Sequence, residues 1–122
     1  MAASAELIDF FKEQMAGFGT VTSKRMFGGA GLYRDGLIFA LVVADTLYLK
    51  ADEQSRGRFE AEGLGPFTYD TKLGERTITS YWRCPERCLD DVDEMTDWCR
   101  LAHGAALRAA ASKPKPGKKP AR

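Results

Sequence analysis

Arg25-Met26-Phe27-Gly28-Gly29-Ala30-Gly31-Leu32-Tyr33, then Arg34-Asp35-Gly36, then the apolar run Leu37 to Ala44, is the stretch on which the fold turns. Its glycines let neighbouring backbones approach closely, and Asp35-Gly36 is a two-residue turn suited to the twist of paired strands. A further run, Leu47-Tyr48-Leu49-Lys50, follows a turn around Asp45. The pattern predicts consecutive antiparallel strands near 24–33, 37–44 and 46–51. In the middle strand Leu37, Phe39, Leu41 and Val43 occupy one face, and Ile38, Ala40 and Val42 the other. A strand apolar on both faces is internal to its sheet, with at least one face under helices.

The flanking segments supply those helices. Leu7, Ile8, Phe11, Met15 and Phe18 recur at helical spacing between Ser4, a good N-cap, and the breakers Gly17 and Gly19. Asp52 caps a short helix through Phe59 that Gly63 ends. Phe67–Lys72 and Arg76–Arg83 flank Leu73-Gly74-Glu75 as a second hairpin, which puts Tyr81 and Trp82 on opposite sides of the sheet; Pro85 stops it. From Asp90 a last helix begins, with Val92, Met95, Cys99, Ala102 and Ala106 in one stripe that Trp98 and Leu101 widen. Asp90, Asp91, Asp93 and Glu94 crowd its first turn, where the helix dipole favours negative charge. The order α-β-β-β-α-β-β-α predicts an α+β two-layer sandwich, an antiparallel sheet covered by helices, over residues 1–111.

A chain of 122 residues with 44% hydrophobic residues is enough for one such core. Its net charge of +1 is unevenly spread. Residues 113–122 contribute +5 through Lys113, Lys115, Lys118, Lys119 and Arg122, leaving −4 on the residues before them. The Lys/Pro segment 112–122 cannot bury apolar surface and is expected to be disordered. The apolar run 37–44 is far short of a membrane span, and charges throughout the N-terminus exclude a signal peptide. Three cysteines, an odd number, suit a reducing cytoplasm rather than a disulfide framework.

Motifs for chemistry are sparse. Gly28-Gly29-Ala30-Gly31 has no Gly-Lys-Ser/Thr after it and Arg34 where a dinucleotide fingerprint needs glycine, so it reads as strand packing or a bulge. Cys84, Cys88, Cys99 and His103 have spacings a zinc site can use, and Cys99 and His103 lie one helical turn apart. The alternative is three packing thiols and a surface histidine, and the sequence leaves this open. His103 is the only histidine, and the acids near Asp90 are explained by helix capping, so no catalytic residue and no cofactor is assigned. Lys24 and Arg25, with Lys113, Lys115, Lys118, Lys119 and Arg122, are the candidate nucleic-acid contacts: phosphate neutralisation without sequence preference.

Residues 5–105 resemble the N-terminal domain of the TfoX/Sxy family, regulators of natural competence. The likeness rests on Arg25-Met26-Phe27-Gly28-Gly29, Gly31-Leu32-Tyr33, Asp35-Gly36, Phe39-Ala40 and Leu47-Tyr48-Leu49-Lys50. It continues through Pro66-Phe67-x-Tyr69, Tyr81, Pro85 and Leu89-Asp90. The resemblance implies a fold like that of type III secretion chaperones, which often dimerise. It also implies a non-enzymatic transcription co-regulator that docks a protein partner, as competence regulators do with the cyclic-AMP receptor protein. It carries over no functional residues, since the shared positions serve the fold. Full-length regulators continue into a second, helical domain where this sequence runs into its Lys/Pro segment, so a single-domain member is expected.

The expected function is therefore a cytoplasmic protein-interaction domain working through a sheet edge or face, with a partner protein or a second copy. Its rivals are a direct nucleic-acid binder using the tail, and a small structural-zinc protein or unrecognised enzyme.

Overall fold

Ser4 begins the first helix by accepting a hydrogen bond from the Leu7 amide at 3.0 Å, and α1 runs Ala5–Gln14 with Ile8 and Phe11 buried. The computed structural model describes residues 4–26 and 28–112. After α1 come β1 (Thr22–Met26), β2 (Gly29–Arg34), β3 (Leu37–Val43) and β4 (Thr46–Lys50). Then follow α2 (Arg56–Ala61), β5 (Pro66–Thr71), β6 (Gly74–Arg83), a 3-10 turn at Glu86–Leu89, and α3 (Val92–Ser112). All six strands pair antiparallel in one sheet, in the order β1-β2-β3-β4-β6-β5. The α+β architecture is the one the sequence predicts.

Two details of the sheet differ from it, and α2 begins at Arg56, with Asp52, the expected cap, in the turn before it. The expected strand 24–33 is two strands, because Met26 pairs with Gly29 and the chain reverses between them. Gly28 has φ +75°, a conformation glycine adopts without a Cβ penalty. The turn at Asp35-Gly36 has positive φ at both residues, 54° and 80°, as in a type I′ turn.

The second difference is a bulge in β3. Leu32 pairs with Ala40 but Tyr33 with Ile38, so Phe39 is an extra residue opposite the Leu32–Tyr33 step. The expected alternation breaks there. Phe39, fully buried, meets the Phe18 ring at 5.1 Å on the helical side, with Ala40 and Val42 as its neighbours in the core. Ile38 instead joins Tyr33 on the other side, where both approach Gly31.

The covered side is organised around one row, Leu32, Ala40, Leu49 and Trp82, aligned across β2, β3, β4 and β6. Each is buried. α3 lies over β3 and β4, with Met95, Trp98, Cys99, Ala102 and Ala106 inward, and the small alanines let it approach the sheet. α2 packs on β6 through Phe59, whose ring lies 6.2 Å from Trp82 and 5.0 Å from Trp98. The end of α2 is closed by the Gly63 and Leu64 amides, which donate to the Glu60 and Phe59 carbonyls as in a Schellman motif.

Two ionic clusters tie the helical layer together. Arg87 bridges Glu62 and Glu94 at 2.7 and 3.0 Å, and the same Glu94 carboxylate accepts from the Trp98 indole. Arg108 grips Asp52 with two bonds of 2.6 and 2.9 Å, joining α3 to the turn before α2. Asp52 also accepts from the amides of Gln54 and Ser55. The Arg108 bond is the chief reason its carboxyl is held down to about 2, from an ordinary 3.8.

Two outcomes follow from this packing. A Cβ added at Gly29 would collide with the Val42 carbonyl oxygen across the strand pair, backbone that cannot swing aside. G29A should therefore cost about 2–3 kcal/mol in chemical denaturation. Because the folded-state pKa of Asp52 is depressed, its contribution is complete above pH ~4 and disappears as pH falls through about 2. D52N should be less stable than wild type by ~1–2 kcal/mol at neutral pH, the gap closing toward pH 2; a gap independent of pH would contradict this.

Candidate functional site

Alternation on a sheet sends every second side chain away from the helices, and in this chain those residues are far from hydrophilic. In β4 Leu47 and Leu49 are buried under the helices while Tyr48 and Lys50 point the other way. Register then carries this second face across the sheet: Tyr48 sits between Leu41 and Arg83, Lys50 opposite Tyr81, and Leu41 opposite Gly31. In the outer hairpin Phe67 and Tyr69 continue it. Every helix–sheet contact described above lies on the other side, as the Phe18, Phe59 and Trp98 ring contacts show.

The face has an aliphatic centre and an aromatic flank. At the centre, Gly31 leaves room for Ile38, Met26 and Tyr33, each within 3.2 Å of where a Cβ would stand. Toward β5 the Tyr48 and Phe67 rings meet at 4.9 Å, and Phe67 stacks on Tyr69 at 5.8 Å with 23° between planes. Tyr69 keeps 44% of its surface exposed. The Lys50 ammonium sits 5.1 Å over the Tyr81 ring. Burial, aided by the neighbouring Tyr33, pushes the Tyr81 phenol up to about 12.

At the strand positions of this face charge has one sign, although Arg83 also borders a cleft with Asp45 and Glu86 of the flanking turns. Lys24 (opposite Gly31), Lys50, Arg76 (opposite Tyr69) and Arg83 occupy strand positions on it. Among the described residues no Asp or Glu holds a strand position there; Asp70 and Glu75 pair with each other on the opposite side.

Of the candidate nucleic-acid contacts, Lys24 belongs to this face, while Arg25 pairs with Ala30 and belongs to the other side of the edge strand. The structure therefore separates these two. Lys113, Lys115, Lys118, Lys119 and Arg122 lie outside the described residues. Tyr81 and Trp82 divide as alternation requires, Tyr81 on the open face and Trp82 in the core. Sequence reasoning placed Tyr48, Lys50, Phe67 and Arg83 in strands but in no site; the signal was the polar-or-aromatic alternation against Leu47 and Leu49.

The cysteine–histidine set does not assemble. Cys84, Cys88 and Cys99 are buried free thiols; Cys84 and Cys88 share a hydrogen bond that, with burial, pushes the Cys84 thiol up. Burial does the same to Cys99. His103 turns instead to Phe18, ring centroids 5.7 Å apart, near Arg34. Burial and that guanidinium lower its pKa. Among the described residues no group of three or more His, Cys, Asp or Glu side chains is placed to hold a metal ion. No described helix is long and apolar enough to cross a membrane.

A family model described as the TfoX N-terminal domain matches residues 13–106. No curated protein matches this chain.

The Tyr81 environment is directly observable. In a spectrophotometric titration of the tyrosines, one phenol should ionise late, near pH 12, and Y81F should remove that step. Loss of the late step in Y48F with retention in Y81F would refute the assignment.

Proposed function

Since this chain belongs to the TfoX N-terminal domain family, we propose that it is a non-enzymatic interaction domain, a competence-related transcription co-regulator that works by docking a protein partner on the open sheet face. The observation that supports this is the one-sided helical cover. A two-layer α+β domain that leaves an aromatic and aliphatic sheet face without helical cover, half-buried at Met26, Ile38, Leu41, Tyr48 and Phe67 and exposed at Tyr69, keeps a surface of the kind that marks interaction sites. The face meets the compositional profile of interface cores, with aromatics, Met and Arg enriched. Its side chains are also pre-ordered: Tyr48 against Phe67, Phe67 against Tyr69, and Lys50 over Tyr81. Such order reduces the entropy lost when a partner binds.

Catalysis is no part of this reading. The single histidine is packed against Phe18, and the thiols are buried with raised or shared protons. A cytoplasmic setting suits three unpaired cysteines.

The test is affinity capture of the full chain from lysate of its own host, with and without nuclease, beside a Y48E variant whose thermal melt confirms folding. Recovery of a transcription activator or RNA polymerase subunits that survives nuclease and is lost with Y48E is the expected outcome. Recovery indifferent to Y48E removes the open face from the reading. Recovery abolished by nuclease removes protein docking.

A further inference from the structure

The open face carries more information than its apolarity. Lys24, Lys50, Arg76 and Arg83 stand on it with no carboxylate among the described strand positions, although residues 1–112 together carry −4. The acids have been kept to the turns, the helices and the opposite side. This segregation bears on what covers the face.

A second copy of the chain meeting face to face would set cation against cation around an apolar centre, an arrangement that like-charge repulsion opposes. A single-stranded nucleic acid would satisfy the cations, but it needs aromatic rings with free π-faces. Here those rings are engaged with one another: Tyr48 with Phe67, Phe67 stacked on Tyr69, and Lys50 over Tyr81. In the middle of the face Met26, Ile38 and Leu41 surround a single ring, Tyr33, where successive bases would need several. What fits both the dry centre and the cationic surround is a protein segment with apolar side chains in the middle and carboxylates beside them.

Resting on the docking reading above, we infer that the open face is selective for an acidic partner segment. Leu41, Tyr48 and Phe67 would receive its apolar side chains, while Lys50 and Arg83 pair with its Asp or Glu residues. The two cations stand on neighbouring strands, Arg83 opposite Tyr48 and Lys50 opposite Tyr81. Charges placed so steer association and reject basic or neutral competitors more than they add to affinity.

The test uses the full-length chain and fluorescence anisotropy with four probes. Three are labelled peptides of alternating Leu/Phe with Glu, with Gln or with Lys; the fourth is an oligothymidylate. Beside the wild type stand K50Q/R83Q and a variant with the cations of residues 113–122 changed to Gln. The Glu peptide should bind best, the Lys peptide not measurably, and K50Q/R83Q should weaken the Glu peptide by about tenfold at low salt. That difference should shrink as salt rises toward ~0.3 M. If all three peptides bind alike and Y48E abolishes them, charge selection is wrong while docking on the face stands. If only the tail variant loses the Glu peptide, the acidic preference belongs to the tail and the inference falls. If no peptide binds, the inference falls as well; oligothymidylate binding lost in K50Q/R83Q, or a dimer in sedimentation broken by Y48E, would then also overturn docking of a partner protein.

Discussion

The molecule depends on a single row of side chains. Leu32, Ala40, Leu49 and Trp82 lie side by side on four strands, and the helices gather over that row. Ala40 is the smallest residue of the row, and α3, which packs on β3 and β4, buries Ala102, Ala105 and Ala106. Larger residues at these positions would lift the helix from the sheet, and close packing leaves little tolerance for that. Phe39 completes the arrangement only because the β3 bulge turns it to the same side. The bulge thus concentrates bulk beneath the helices and in the same step sends Ile38 outward. The core and the open face are set by one irregularity.

Much of this was legible in the residues, for identifiable reasons. The alternation in 46–50, the Asp35-Gly36 turn and the Tyr81–Trp82 division are local patterns, and the structure follows them. The split of 24–33 was hidden because Met26 and Phe27 extend an apolar run, so Gly28-Gly29 read as a close approach instead of a reversal. Gly29 does provide the close approach, to the Val42 carbonyl. The bulge left no local mark, since Leu37 to Ala44 is apolar throughout and has no alternation to break; its inward Phe39 meets the sequence-distant Phe18 ring. The spacing of Cys84, Cys88, Cys99 and His103 left zinc open for a related reason. Cys99 and His103 are one turn apart, yet His103 reaches Phe18 and Arg34 while Cys99 stays near Cys88.

The open face was the least legible element. No short motif defines it, because its residues come from six strands and meet only through register. The family relationship, by contrast, was readable from ordered pieces of strand and turn, which describe the scaffold. Those pieces mix both sides of the sheet, Leu47 and Leu49 facing inward and Tyr48 and Lys50 outward, so they identify the domain without singling out one face.

The position of α3 in the chain has one more consequence. Strand pairing proceeds in nearly sequential order, with only the β4–β6 contact stepping over an intervening strand, so the sheet can assemble from neighbouring hairpins as it is synthesised. The helix that shields its inner side follows all six strands. Until residues 92–112 are made, the inner side over β3 and β4 lacks the helix that covers it, and that side is the stickier. The exposed Thr22, Ser23, Lys24 and Arg25 along the first edge strand suit that interval, since polar and charged edges discourage strand addition by neighbouring chains. The interval before α3 docks is the nascent chain's most vulnerable stage.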